Sequence, residues 1–415
     1  MQKNLIMKIG IYFGKFILTD SKSGGGYTFQ QSILNVLQKI KSNHEFYVFA
    51  DDADKFEKNS NIKFVKLERY YSDITESFFL KNLFRLPRKV KRYFLKKNYK
   101  NPLNKAVLEN KIEFMWFVTP AFEFVEIPYI YTVWDLQHRL QSYFPEVSVT
   151  GWKFEDREER YNLAIKRAAY IIIGNQAGKK EIINFYGMPE ERIKTLALPT
   201  PDFVLNNFNY SENIFDKFNL LKKNYLFYPA QFWPHKNHIL ILLALRILKE
   251  KYNLDFNIVF TGSDKGNLNY IKQKTKELNL ENKVYFLNFV EIKDLINLYK
   301  NAFALVFPSF FGPDNIPPLE SFALKCPVIA AKVSGSQYQL KDAALLFDPK
   351  SEIELAEKIK ELYESENLRN SLIQKGFEKA ASWDSQNYLE NIISIINSFE
   401  PIRRCWSSKE IYRQI

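Results

Sequence analysis

The clearest capacity for chemistry in this chain belongs to a single carboxylate. It follows two prolines at the start of a predicted helix. An apolar run ends at Phe307, a loop rich in Pro, Gly and Asn follows, and Pro317 and Pro318 then precede Glu320. Proline is tolerated in the first helical turn, where an N–H has no helical partner, and a helix N-terminus attracts anions. A carboxylate beside a phosphate site is typical of hydroxyl recognition, as in ribose binding. The segment therefore predicts a nucleotide or nucleotide-sugar pocket.

A lysine occupies a second predicted strand-to-helix loop. A short apolar strand ends at Pro229, a helical pattern begins near Asn237, and Lys236 lies between them. The flexible ammonium of lysine can meet a diphosphate as a point charge. The alternative is an ordinary solvated lysine before a helix. Because the chain also has the strand-to-helix loop before Glu320, we favour a role for Lys236 in phosphate binding.

Two titratable residues follow a strand in the N-terminal half. The strand ends near Trp134, and Asp135 and His138 come directly after it, three positions apart. Parallel sheets bind ligands at the carboxyl ends of their strands. Asp135 can accept a proton from a hydroxyl, and His138 can bind a sugar or steady a leaving phosphate. A helix cap for Asp135 and a satisfied structural histidine for His138 are equally weighted alternatives.

A glycine run lies between the first strand and the first helix. Gly25 and Gly26 belong to it, and the helical pattern covers residues 29–40. Glycine lets a backbone approach a ligand closely, and the helix start favours phosphate. A flexible turn is the alternative, and the run lacks the spaced glycines of dinucleotide-binding enzymes.

Alternating strand and helix patterns indicate two α/β domains with parallel sheets. A chain of 415 residues is too long for one ordinary domain, and a polar stretch rich in Pro and Asn separates the two halves. We predict a first domain over residues 1–207, a second over 208–385, and a crossover helix with a tail over 386–415. The predicted strands are 8–13, 45–50, 62–67, 114–118, 129–133, 170–174, 226–228, 257–261, 284–287, 304–307, 328–330 and 344–347.

Composition narrows the classes of function. The two cysteines, Cys326 and Cys405, provide neither a disulfide framework nor a metal cluster, which fits a reducing cytoplasm and predicts no metal. No uncharged stretch reaches the roughly 18 residues of a membrane span. The apolar N-terminal segment 9–18 is interrupted by Lys15 and is predicted to be a buried strand, not a signal peptide.

The formal net charge of +12 is concentrated in the stretch Lys81–Lys100. It holds nine Lys and Arg residues, no acidic residue, and interleaved apolar side chains. Such a stretch can lie on an anionic membrane surface, contact nucleic acid or form a solvated helix. The pattern alone leaves these three alternatives open.

The segment 307–324 resembles the donor-site signature of retaining GT-B glycosyltransferases of family 4. That signature reads Pro-Ser, an aromatic, then Glu-Gly-Phe-Gly-Leu-Pro-x-Leu-Glu. Leu319 and Glu320 match its end, but Gly312 occupies the position of the first glutamate, which is credited with contacting the donor sugar. Asp314 or Asn315 is expected to take over that contact.

Segment 225–237 resembles the same family, in which a lysine at the position of Lys236 neutralises the donor diphosphate. An arginine usually precedes it, and here Gln231 lies near that place. Gly262, in the Thr-Gly-Ser sequence after a strand, is a further match, and the resemblance covers residues 125–385. The resemblance also implies that the glycine loop faces the donor diphosphate.

The resemblance implies a GT-B fold: two Rossmann-like parallel-sheet domains face a central cleft, and a C-terminal helix crosses back to the first. It implies a metal-independent hexosyltransferase that moves a sugar from a GDP- or UDP-hexose to a hydroxyl of a growing glycan or polyprenyl-linked acceptor, with retention of anomeric configuration, as in lipopolysaccharide synthesis. The resemblance favours the membrane surface as the partner of Lys81–Lys100. We therefore expect the protein in the cytoplasm, peripheral on the inner face of the membrane, with no cofactor and no nucleic-acid partner. The alternatives are an epimerase-like GT-B enzyme and an inactive donor-binding protein.

The predicted site residues fall into two groups. The catalytic candidates are Asp135, His138 and Glu320. The donor-binding candidates are Gly25, Gly26, Gln231, Lys236, Gly262, Asp314, Asn315, Leu319 and Glu320.

Overall fold

The computed structural model describes residues 6–17, 24–56, 62–68, 101–206, 214–218, 220 and 225–407. The basic stretch Lys81–Lys100 and the domain boundary after residue 207 lie outside the described residues, so both predictions stay predictions. Within these ranges, no helix combines the length and apolarity needed to span a bilayer.

The first domain is built on a seven-stranded sheet with the order β3-β2-β1-β4-β5-β6-β7. Neighbouring strands pair in parallel throughout. The short edge strand β7 is missing from the sequence prediction, and the other strands are confirmed. The strands are β1 (Lys8–Tyr12), β2 (Glu45–Ala50), β3 (Ile62–Lys66), β4 (Phe114–Phe117), β5 (Tyr129–Thr132), β6 (Tyr170–Ile173) and β7 (Ile193–Thr195).

The second domain contains a six-stranded parallel sheet with the order β10-β9-β8-β11-β12-β13. In each sheet the strand order reverses once, beside β1 and beside β8. Such a reversal opens a crevice at the carboxyl ends of the strands, where α/β proteins bind ligands. The strands are β8 (Tyr225–Pro229), β9 (Asn257–Thr261), β10 (Val284–Phe286), β11 (Ala304–Phe307), β12 (Val328–Ala331) and β13 (Ala344–Phe347).

Helices cover both sheets, which explains why strands such as β4 and β11 are apolar and buried along their whole length. The described helices before β8 are α1 (Gly25–Leu37), α2 (Pro102–Glu109), α3 (Gln137–Leu140), α4 (Pro145–Ser148), α5 (Phe154–Arg167), α6 (Gln176–Tyr186), α7 (Asp202–Leu205) and α8 (Ile214–Phe218). Those after β8 are α9 (His238–Tyr252), α10 (Leu268–Glu277), α11 (Ile292–Asn301), α12 (Ile316–Ala323), α13 (Ser336–Leu340), α14 (Glu352–Glu364), α15 (Glu366–Ala381) and α16 (Ser385–Arg403). Short 3₁₀ turns cover Ala53–Lys55, Glu190–Arg192 and Pro234–Lys236.

The first helix begins earlier than predicted. The pattern predicts a helix from residue 29, but α1 begins at Gly25, so Gly25 and Gly26 form its first turn. Gly24 precedes the helix with φ of 75°, a left-handed value that favours glycine. The predicted glycine loop is therefore largely the N-terminus of a helix, and this part of the prediction is wrong.

The C-terminal helix α16 crosses back onto the first domain, as predicted. Asp384 begins it with a capping box: its side chain accepts from Asn387 N–H, and the Asn387 side chain accepts from Asp384 N–H. One face of α16, including Ile392 and Phe399, belongs to the core of the first domain. Arg403 near the helix end pairs with Glu113 of the first domain. The chain therefore ties its two domains together a second time.

We expect the substitution Ile392→Ala to weaken this attachment. Ile392 is fully buried, and truncating a buried isoleucine costs about 2–5 kcal/mol because a cavity remains. Ile393→Ala, a change of the same chemistry at a partly buried position, should cost less. Urea unfolding of both variants measures the difference, and equal losses would contradict the packing of α16.

Candidate functional site

A cavity of about 440 Å³ lies between the two domains. We call it the interdomain cavity. Its walls come from the ends of β5, β8 and β11, from the N-terminus of α1 and from the loop before α12. The predicted site residues that line it are Gly25, Gly26, Asp135, Gln231, Lys236, Asp314 and Asn315. His138, Gly262, Leu319 and Glu320 do not line it.

Lys236 provides a positive charge at this cavity. Its ammonium lies 5.2 Å from the centre of the Phe307 ring, and Tyr228 fixes its loop by donating a hydrogen bond to Lys236 O at 2.8 Å. Burial lowers the pKa of Lys236 to about 8, against the opposing effect of Asp135 and Glu146 from the first domain. Lys236 is therefore mostly protonated at neutral pH, and it forms no ion pair within the part of the chain that the structure describes.

The residue before Lys236 joins the two domains. His235 Nδ1 contacts Glu146 Oε1, and His235 N–H donates to the same oxygen at 3.2 Å. Burial lowers the pKa of His235. Burial would raise the pKa of Glu146, but the hydrogen bonds from His235 outweigh it and the pKa lies below its ordinary value. The imidazole of His235 is therefore neutral, and it donates a hydrogen bond to the carboxylate of Glu146. Sequence analysis missed this pair, whose members lie 89 positions apart.

The N-terminus of α1 faces the interdomain cavity from the first domain. Tyr27 N–H donates to Gly24 O at 3.0 Å, whereas the amides of Gly25 and Gly26 have no acceptor among the described residues. A Cβ at Gly26 would lie 3.1 Å from the Trp134 ring, so a side chain there would crowd the cavity. Free amides and the helix dipole together attract anions.

The N-terminus of α12 differs from the sequence expectation. The helix begins at Ile316, so Pro317 and Pro318 occupy its second and third positions, and proline has no N–H to donate. Asn315 N–H already donates to Gln339 Oε1 at 3.0 Å. This helix start therefore offers fewer amides than an ordinary one, and its predicted role in anion binding stays a prediction.

Gly312 occupies the position of the first glutamate in the signature that segment 307–324 resembles, and Asn315 fills the space beside it. The backbone of Gly312 has φ of 138°, and a Cβ there would lie 2.3 Å from Asn315 Oδ1. Asn315 Nδ2 donates to Gly312 O at 2.6 Å. A side chain at position 312 would thus require Asn315 to move.

Asp314 combines a contact between the domains with an unsatisfied oxygen. Its Oδ2 accepts from Leu198 N–H of the first domain at 2.7 Å, and a Cβ at Gly174 would lie 2.6 Å from that oxygen. Its Oδ1 is buried without a hydrogen-bond partner. Burial raises the pKa of Asp314 to about 7, so the carboxyl group can carry a proton near neutral pH.

Gln231 lines the cavity on the side of the second domain. Its Nε2 donates to Ser263 Oγ at 3.3 Å, and its Oε1 accepts from Trp233 Nε1 at 3.0 Å. These hydrogen bonds orient the amide near the place at which the family that segment 225–237 resembles usually has an arginine.

Asp135 lies at the cavity but is paired with Arg157. It also accepts from Gln137 N–H at 2.9 Å. Burial would raise its pKa, but the charge and hydrogen bond of Arg157 outweigh burial and hold the pKa below its ordinary value. The carboxylate is therefore ionised at neutral pH and is a weak base in this arrangement.

The structure places His138 inside the first domain, away from the cavity. Its side chain is fully buried, and its Nε2 lies 2.7 Å from Glu158 Oε1 and 3.3 Å from Tyr186 Oη. Burial lowers its pKa to about 4. This geometry fits the alternative of a structural histidine, and it keeps His138 away from any sugar in the interdomain cavity.

Three further candidates also lie off the cavity, and their predicted roles stay predictions. Gly262 has φ of 143°, and a Cβ there would lie 2.4 Å from Ala230 O, so glycine allows the loops after β8 and β9 to touch. Leu319 is a core residue of the second domain. Glu320 is buried and accepts from Tyr299 Oη at 2.7 Å, and burial raises its pKa to about 7. In the described ranges, no cluster of His, Cys, Asp and Glu has a metal-binding arrangement.

Comparisons with known proteins find a family match in the second domain and solved structures with the same overall fold. Residues 210–379 match the family model described as Glycosyl transferases group 1. The chain is 29% identical over 190 residues to the O-antigen chain mannosyltransferase RfbU of Salmonella typhimurium, covering 46% of this chain and 50% of that protein. It is 22% identical over 231 residues to O-antigen chain mannosyltransferase B of Escherichia coli, covering 55% and 61%. The chain thus spans between half and three fifths of these relatives.

Solved structures of glycosyltransferases share the whole architecture. WaaG, a glycosyltransferase involved in lipopolysaccharide biosynthesis, superimposes with a TM-score of 0.64 at 14% identity, covering 94% of this chain and 99% of that one. A sucrose-phosphate synthase from Thermosynechococcus elongatus gives 0.69 at 15%, covering 95% and 99%. The fold class is GT-B, which confirms the prediction.

We expect the buried His138 to make the protein less stable in acid. Its pKa is about 4 in the folded protein and 6.5 ordinarily, so between pH 6.5 and 4 the unfolded chain binds a proton that the folded chain excludes. The free energy of unfolding therefore falls as the pH is lowered through this range, by on the order of 3 kcal/mol from this residue. His138→Gln should reduce the fall, measured by urea unfolding at pH 7, 5.5 and 4. An unchanged fall in the variant would assign it to other groups.

Proposed function

We propose that this protein is a retaining glycosyltransferase of family-4 type, a hexosyltransferase that acts on a nucleotide-sugar. One observation supports the proposal most: the interdomain cavity brings Lys236 of the second domain and the amide-bearing start of α1 of the first domain to one space. A cationic side chain and a helix N-terminus form a site for a diphosphate. The cavity volume lies within the range of small-molecule sites, about 300–1,000 Å³.

The donor would lie across the cavity with its diphosphate between these two groups. Asp314 and Asn315 border the same space, and the unsatisfied Oδ1 of Asp314 can bond a sugar hydroxyl. This arrangement would take over the sugar contact of the glutamate that Gly312 replaces. Gln231 would complete the wall near the diphosphate.

The proposed reaction breaks the bond between the anomeric carbon of the hexose and the oxygen of the distal phosphate. The oxygen of the acceptor hydroxyl bonds to that carbon, the nucleoside diphosphate leaves with the electron pair, and the hydroxyl proton is released. Negative charge develops on the leaving diphosphate, and groups positioned for that charge lower the barrier. Lys236 and α1 would provide this stabilisation without a metal, and Asp135 would orient the acceptor hydroxyl from the cavity edge.

The names of two relatives guide the choice of substrates to test. Both are named O-antigen chain mannosyltransferases, so we propose a GDP- or UDP-hexose donor, with mannose as the first sugar to test. The acceptor would be a hydroxyl of a growing surface glycan, linked to a polyprenyl carrier. The enzyme would then work in the cytoplasm on the inner face of the membrane, where Lys81–Lys100 would contact anionic lipid.

A donor panel tests this function directly. Transfer from radiolabelled GDP-mannose, UDP-glucose and related donors to a glycolipid extract should occur with at least one donor, with the product linkage read by NMR. Donor binding without transfer or hydrolysis would favour the inactive donor-binding protein. The argument for that alternative is that Asn315 occupies the space that a side chain at position 312 would need. Conversion of one nucleotide-sugar into its epimer would favour the epimerase-like alternative.

We expect Lys236→Gln to weaken nucleoside diphosphate binding by about 10- to 100-fold, because a hydrogen bond to a charged group contributes about 1.5–3 kcal/mol. Binding of the nucleoside should not change, since the ammonium meets only phosphate. Isothermal titration with GDP, UDP and their nucleosides measures both. Lys272→Gln, at an exposed lysine of the same domain, is the matched control. Equal losses for diphosphate and nucleoside would instead assign Lys236 a structural role.

A ribose role for Glu320 makes a different prediction. Glu320→Gln should lower affinity for nucleoside and nucleoside diphosphate by about tenfold, the order of one hydrogen bond, and should leave pyrophosphate binding unchanged. Tyr299→Phe is the matched control, because it removes the hydrogen bond to Glu320 and keeps the carboxylate. Unchanged nucleoside affinity in Glu320→Gln would contradict the ribose role, and so would an equal effect of Tyr299→Phe.

A further inference from the structure

A second cavity, of about 400 Å³, opens in the first domain. We call it the side cavity. Segments after β1 and β4, the start of α1 and one face of α5 line it. Trp134 and Asp135 line both this cavity and the interdomain cavity. A ligand in the side cavity would therefore reach the edge of the proposed donor site.

Among the described residues, more cationic than anionic side chains line the side cavity. Lys15, Arg157 and Arg160 line it together with one carboxylate, that of Asp135. Arg157 is paired with Asp135, whereas Arg160 has no carboxylate partner among the described residues. The Arg160 guanidinium lies 4.7 Å from the centre of the Trp152 ring, a cation–π contact that orients it. A planar, oriented guanidinium is suited to a carboxylate or phosphate.

Unsatisfied polar atoms on the same walls point to a ligand rich in hydroxyl groups. Gln30 is 8% exposed and its Oε1 has no hydrogen-bond partner, and Arg157 is 5% exposed with no partner at Nε. Trp134 Nε1 is likewise buried and unpartnered. Buried polar atoms without partners are rare, and each costs about 1–3 kcal/mol. One acceptor and two donors can be satisfied together by sugar hydroxyls, which both donate and accept.

We propose that the side cavity binds the acceptor, and that this acceptor is a saccharide with an acidic group, a carboxylate or a phosphate, that pairs with Arg160. The inference rests on the proposed transferase function. The saccharide hydroxyls bond Gln30 and Arg157, and the acidic group meets Arg160 on α5. The reacting hydroxyl then lies near Trp134 and Asp135, where the two cavities adjoin.

Saturation-transfer NMR and calorimetric titration with three probes test the proposal. Glucuronic acid carries a carboxylate, mannose 1-phosphate carries a phosphate, and methyl α-mannoside is neutral. We expect at least one acidic probe to bind the wild type more tightly than the neutral probe, and Arg160→Gln to weaken its binding about tenfold or more while leaving the neutral probe unchanged. The tighter acidic probe identifies the acidic group.

Two variants provide controls. Arg167→Gln lies on the same helix at an exposed position over Phe124, outside both cavities, and should leave all three probes unaffected. Lys236→Gln should also leave acidic saccharide binding unaffected, which separates the side cavity from phosphate binding at the donor site. Gln30→Ala should weaken the acidic and the neutral probe alike. Equal affinity of the acidic probes for Arg160→Gln and wild type would overturn the proposal, as would equal binding of neutral and acidic probes by the wild type.

Nucleotide titration of the same samples separates this inference from the function on which it rests. Nucleoside diphosphate binding with no acidic saccharide binding would overturn the side-cavity proposal and leave the donor site intact. Acidic saccharide binding with no binding of any nucleoside diphosphate would contradict the transferase proposal and show that the side cavity serves another reaction.

Discussion

The hydrogen bonds between Glu146 and His235 are the interaction on which the site depends, because they hold the two domains on either side of one cavity. Glu146 belongs to α4 of the first domain, and His235 directly precedes Lys236 in the second. Gln141 extends the contact by donating to Phe310 O at 2.9 Å, and Asn175 donates to Pro313 O at 2.8 Å. The two walls of the cavity lie on separate domains, and these contacts hold them face to face.

This closure also sets the electrostatics of Lys236. Burial favours the neutral amine, while Asp135 and Glu146 across the cavity favour the ammonium. A pKa of about 8 results, so the lysine keeps its charge at neutral pH although it is partly buried. A charge in such surroundings interacts more strongly with a diphosphate than it would in water. Glu146 thus takes part both in the contact between the domains and in setting the pKa of Lys236.

Sequence patterns predicted the features that depend on neighbouring residues in the chain. They missed the features that depend on contacts between residues far apart in the chain. Buried parallel strands are apolar along their length, so β1 and β11 could be recognised, whereas the three-residue edge strand β7 is too short to show a pattern. Lys236, Asp314 and Asn315 follow strand ends, and the rule that ligands bind there placed them correctly at a cavity. The environment of His138 could not be predicted, because the helix carrying Glu158 lies 20 positions further along the chain. The same holds for the start of α1, since a glycine run predicts loop and helix N-terminus equally well.

The surroundings of Gly312 keep the fold although the signature glutamate is absent there. Asn315 fills the space that a side chain at position 312 would need and donates to the carbonyl of Gly312. Asp314, two positions later, is held by the Leu198 amide and keeps one oxygen without a partner. With a pKa near 7 this carboxyl can donate as well as accept, which suits a sugar hydroxyl better than a phosphate. In the proposed donor site, Asp314 would provide the acidic group that Gly312 lacks, and the same side chain bonds Leu198 of the first domain.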